Sequence, residues 1–222
     1  MKGLRASIPV LVGALLLLTP AAHAASAYDE ATQLELDGMD LQQKGDLDGA
    51  IAKYRQACQL YPKDAAFHQN LATALNDAGA AKYQAKDYGT AIADFQEALT
   101  NVPNFERAKT NLAMVKGEEL NNEGMALFKN GDFANALVKF NEALTAEPGF
   151  KGAIVNRDAA EAQIAMKAGD PATAVAKLQE AVSIASTPFL QGKLAEAQAA
   201  LAALEAEKQK EQQQQQQQQQ SK

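Results

Sequence analysis

The chain of 222 residues has no Trp, one Cys and two His. With one thiol, Cys58, it can close no internal disulfide, and Cys58 beside Ala57 on an apolar helix face is expected to act as a small buried hydrophobe. His68 is the only His beyond residue 24, and it has no companions at metal-ligand spacing, so no metal site and no cofactor are expected. Neither Cys58 nor His68 has a recognisable catalytic partner, which argues against an enzyme. Gln191-Gly192-Lys193 follows no Gly-rich loop and is not a phosphate-binding loop. Basic residues are outnumbered, 21 against 27 acidic, and no basic stripe stands out, so nucleic acid is a poor candidate partner. The acidic pairs Asp29-Glu30 and Glu118-Glu119 read as solvated helix faces. Runs of β-branched residues are missing, while Ala, Leu, Gln, Lys and Glu favour helices.

The first residues have a separate purpose. Lys2 and Arg5 precede an apolar run from Ile8 to Leu18, and Ala22-His23-Ala24 offers small residues to signal peptidase, with Ala25-Ser26-Ala27 a second cut site nearby. The run is well short of the ~20 residues that span a bilayer, so residues 1–24 read as a cleaved secretory leader rather than an anchor. No Cys near the cut suggests lipid attachment. The mature chain is therefore expected in the periplasm or an equivalent exported space, without stable membrane insertion, and the short Leu-rich leader looks bacterial. Cleavage removes Lys2 and Arg5 and makes the chain still more acidic than its full-length charge of −6.

What remains is repetitive. Ala50, Tyr54 and Ala57 return as Ala91, Phe95 and Ala98, as Ala136, Phe140 and Ala143, and as Ala174, Leu178 and Ala181. Small, large and small side chains at i, i+4 and i+7 form one helix stripe that can press close to a neighbour. Each stripe follows a turn of one type, Lys44-Gly45-Asp46, Ala85-Lys86-Asp87, Asn130-Gly131-Asp132 or Ala168-Gly169-Asp170. Gly45, Gly131 and Gly169 suit a left-handed helix end and the following Asp an N-cap, with Pro171 at the first helical position. Lys86 in the glycine place costs about 1 kcal/mol if the backbone is kept. Pro62, Pro103 and Pro148 stop three of the helices; the fourth has Ser186, with Pro188 two residues on.

Upstream of three turns lies a second pattern: Leu34, Gly38 and Leu41; Leu75, Gly79 and Tyr83; Leu120, Gly124 and Leu127. On these residues the chain resembles the tetratricopeptide repeat family, whose unit of about 34 residues joins two antiparallel helices. It departs from the pattern at Asp37, Ala78 and Glu123, where the Leu before Gly is replaced, and at Asp158, Glu161 and Ala162 in the fourth repeat. The resemblance implies an all-α, right-handed superhelical solenoid over residues 28–187, with units of about 31–64, 65–104, 105–150 and 151–187. The lead Ala residues lie 41, 45 and 38 positions apart. Those distances exceed the repeat by close to two, three and one helical turns, which predicts long first helices near 65–85, 105–129 and 149–168 with a kink at Gly117. Leu190, Leu194, Ala197, Leu201 and Leu204 predict a capping or self-association helix over 188–211, followed by a Gln-rich tail at 212–222 that extends the helix or stays solvated.

In the resembled family ligands lie along a concave groove of first-helix residues. Carried over by register, one row is Glu35, Asn76, Asn121 and Ala159; the next is Met39, Ala80, Met125 and Gln163; the third is Gln42, Tyr83, Phe128 and Met166. Side-chain amides can bond an extended peptide, and Met and aromatic groups offer adaptable apolar contact. Tyr83 and Phe128 serve equally well as core residues. Glu35 and Glu118 argue against acidic ligands. The expected function is a non-catalytic adaptor or scaffold that binds a protein or peptide. The alternatives are a structural protein that self-associates into a homo-oligomer through its C-terminal helix, and a regulatory subunit of an envelope enzyme.

Overall fold

The computed structural model describes residues 20–220, and among them there are nine helices and no strand. They are α1 (Pro20–Gln43), α2 (Leu47–Leu60), α3 (Ala65–Gln84), α4 (Tyr88–Asn101), α5 (Glu106–Lys129), α6 (Phe133–Ala146), α7 (Lys151–Lys167), α8 (Pro171–Ile184) and α9 (Pro188–Gln220). The first eight form four helix-turn-helix pairs, the all-α architecture that the repeat predicts. Residues 1–19 of the expected leader lie outside the described residues; α1 opens at Pro20 and so takes in the expected Ala22-His23-Ala24 cut site. The chain divides into two compact units, with the boundary inside α3 between Ala74 and Leu75.

All four turns follow one plan. The residue before each Asp has positive φ, 84° at Gly45, 79° at Gly131, 76° at Gly169 and 62° at Lys86, so the lysine adopts the conformation that glycine holds elsewhere. Asp46, Asp87, Asp132 and Asp170 each have two jobs. Their backbone N–H groups close the preceding helix onto Leu41, Lys82, Leu127 and Ala165 carbonyls at 2.9–3.0 Å. Their side chains then cap the next helix, accepting from the N–H of Gly49, Thr90, Asn135 and Thr173. Because each turn is three residues long and each second helix has 14, the pairs differ only in their first helices. α3, α5 and α7 match the long helices expected from whole-turn insertions, and α5 continues unbroken through Gly117, which packs against Ala143 and Glu147.

The core of each of the first three pairs is a ring fitted to a missing side chain. A Cβ on Gly38 would lie 2.7 Å from the Tyr54 ring, one on Gly79 2.8 Å from Phe95, and one on Gly124 2.6 Å from Phe140. All three rings are buried. The fourth pair reaches the same fit with other volumes, since Ala162 and Leu178 share one buried cluster. α9 packs against α8, burying Leu190 and Ala197 in that cluster with Leu194 against it. Its Gln-rich end stays helical to Gln220 and is exposed.

Gly124→Ala is expected to destabilise the protein by about 1–3 kcal/mol through overpacking, in spite of a helix-propensity gain of up to about 1 kcal/mol. Adding Phe140→Leu, which copies the fourth pair, should recover part of the loss. Urea midpoints of the single and double variants measure both effects, and an unchanged Gly124→Ala midpoint would contradict the fit.

Candidate functional site

The predicted groove rows divide into two groups. The polar members other than Gln163 are engaged inside the protein. Asn76 is 0% exposed and accepts a hydrogen bond at 2.9 Å from Asn111 Nδ2; Asn121 is 8% exposed and accepts one at 2.8 Å from Asn156 Nδ2. Glu35 accepts from Asn70, and Gln42 accepts from the Tyr54 hydroxyl at 3.0 Å. The Tyr83 hydroxyl donates to one Glu118 oxygen while Tyr88 donates to the other at 3.1 Å. Ala159 is buried and Ala80 packs against the Phe95 cluster. Asn76 and Asn121 thus spend their amide oxygens on the next first helix.

These bonds form a ladder. Glu35–Asn70, Asn76–Asn111, Asn121–Asn156 and Tyr83–Glu118 all link residues 35 apart, although the repeats themselves differ in length. The spacing stays constant because Asn70, Asn111 and Asn156 are each the sixth residue of a first helix, and every segment back to the previous row has the same length. The inserted turns follow that asparagine and do not disturb it. At the fourth junction the same offset from Ala159 arrives at Leu194, and the contact becomes apolar. A sequence search at the repeat period misses these asparagines; a search at the fixed 35-residue offset finds them.

The apolar members gather elsewhere. In the unit that begins at Leu75, Met125 and Phe128 of α5, Gln163 of α7 and Phe189 at the start of α9 surround a cleft. It consists of two cavities of about 390 and 440 Å³ that share Met125, Phe128 and Phe189. Phe128 lies 4.9 Å from Phe133 and 6.3 Å from Phe189 between ring centres, the latter edge-on. Phe189 remains 53% exposed, and Lys167 Nζ stands 4.5 Å over the Phe133 ring. Met166 lines a third cavity with Leu204 and Ala200 of α9. Met39, 52% exposed beside Leu36, lies in the N-terminal unit. Sequence reasoning missed Phe133 and Phe189, which fall on a second helix and on α9, outside the first-helix register.

Nothing among the described residues assembles a metal site, and no helix there is long and apolar enough to cross a membrane. Burial pushes the Cys58 thiol up to about 11, and His68 Nε2 lies 3.0 Å from the Pro62 carbonyl.

Residues 38–79 match the family described as TPR repeat and residues 117–150 the family described as Tetratricopeptide repeat. Over those two spans the chain is similar to tetratricopeptide repeats. No curated protein matches it in sequence. Among solved structures, the TPR2AB domain of yeast Sti1 in its pHSP90 complex is 22% identical, with 78% of this chain and 84% of that one covered and a TM-score of 0.31. YrrB, described as a TPR protein with an unusual peptide-binding site, is 18% identical over 82% of this chain and 97% of its own, with a TM-score of 0.34. Pseudomonas aeruginosa pilF is 20% identical over 78% and 68%, with a TM-score of 0.28. The repeat assignment rests on the two matched spans and on the helix pairs.

Two outcomes test the ladder. Asn111→Ala strands the buried Asn76 oxygen and should cost about 1–3 kcal/mol in a denaturant titration, as is usual for an unsatisfied buried acceptor. The Glu118 carboxylate, with burial, holds the Tyr83 phenol up at about 12, so the neutral phenol is favoured in the folded chain. Its contribution is complete below the ordinary tyrosine value near 10 and is lost as pH rises through about 12. Tyr83→Phe should flatten that part of the stability–pH curve.

Proposed function

We propose that this protein is a non-catalytic adaptor of the bacterial periplasm or cell envelope, holding a protein or peptide partner in the α5/α7/α9 cleft. The observation that carries the reading is the half-exposed Phe189 ring beside Phe128 and Met125 over two open cavities, since apolar surface of this kind marks interaction sites. Gln163 at the rim supplies an amide for a peptide backbone. The exported location rests on the leader. The described residues are compatible with its removal, because Ala24, Ala25 and Ser26 are exposed and Ala31 is the first residue buried in the core. Self-association through α9 is the weaker reading, because Leu190 and Ala197 are already buried in the chain's own core and Leu204 faces the third cavity.

A photo-crosslinking amino acid at Gln163, with one at exposed Val138 of α6 as control, tests the reading in cells. Gln163 should yield an adduct with a second protein that Val138 does not, and the recovered chain should begin at Ala25. Adducts of the chain only with itself would favour the self-association reading. A chain that still carries Met1 would refute export by cleavage.

A further inference from the structure

The charge around the cleft specifies what can fill it. Lys129 and Lys193 are the charged side chains in its lining, and no carboxylate lines either cavity. This is a local reversal in a chain of 27 acidic and 21 basic residues. Lys193 is engaged with Glu196 at 2.7 Å, an exposed pair of a kind worth about 0–1 kcal/mol that an incoming carboxylate can displace. Lys129 has no ionic partner among the described residues. The expectation against acidic ligands, drawn from Glu35 and Glu118, does not apply at this cleft. Both Glu118 oxygens accept from tyrosines, Glu35 accepts from Asn70, and neither residue lines the two cavities.

We infer that the cleft takes an extended peptide segment that seats one bulky apolar side chain between Phe128 and Phe189 and sets an acidic residue, within about two positions of it, against Lys129 and Lys193. This deepens the adaptor reading and rests on it. A preformed aromatic wall with lysines at its edge favours such a segment twice. The rings bury the apolar group, and the lysines select the neighbouring charge and speed encounter. Because Phe189 belongs to α9, the cleft is complete only with the C-terminal helix docked, which ties recognition to the last helix as well as to the repeats.

A library of displayed random peptides selected against the full mature chain tests this. The expected winners pair Phe, Leu or Trp with Asp or Glu within two positions. Synthesised, they should lose at least about tenfold in affinity for Phe189→Ala, hold for Phe189→Leu, lose several-fold for Lys129→Glu, and weaken with added salt. Far-UV circular dichroism of each variant separates lost binding from lost folding. Neutral or basic winners, or acidic ones that Lys129→Glu binds equally well, overturn the acidic-partner inference and leave the adaptor reading standing. Winners indifferent to both Phe189→Ala and Met125→Glu, or no winners at all, overturn both for this cleft.

Discussion

Three of the four repeats are built on an aromatic ring seated where a neighbouring helix has no side chain. At Gly38, Gly79 and Gly124 even one methyl group would overlap the rings of Tyr54, Phe95 and Phe140. The two helices of a pair therefore approach closely enough to bury the flanking Ala stripe. Such contacts are short-ranged, and their strength falls away within an ångström of lost fit. The rest follows from keeping that approach: the three-residue turn, the double use of one Asp, and the second helix of constant length. The pair of Ala162 with Leu178 shows that what is preserved is total volume, not a particular residue.

The second constraint is polar. Buried amides are costly unless paired, and a paired buried amide fixes register as an apolar contact does not. Asn76–Asn111 and Asn121–Asn156 hold successive first helices at one offset while the inserted turns vary. Length variation is thus confined to the stretch between the asparagine and the row it would otherwise disturb. Cleft chemistry appears where the ladder gives way to an apolar junction, at the approach of α9. There the polar demand ends and Met125, Phe128 and Phe189 can remain partly uncovered.

Much of this was legible in the chain. Gly-Asp turns, stop prolines and Ala–large–Ala stripes are local signals, and excesses of whole helical turns in the repeat spacing implied long helices because only whole turns keep a buried face aligned. Lys86 could be assigned its left-handed place from the three glycines that share it. The groove rows were less legible. Register puts Asn76 and Asn121 on the right face, yet it does not say whether a later asparagine reaches back to them. Phe133 and Phe189 were not legible as cleft walls, because neither belongs to the repeating first-helix pattern.

By itself the sequence determined the helix-turn-helix pairs, since capping, backbone handedness and i, i+4 periodicity act over a few residues. The tertiary structure decided which groove residues are spent on holding neighbours together and which face a cleft. That choice depends on pairings between side chains 35 residues apart, an offset that differs from the spacing of the repeats, and on where α9 comes to rest.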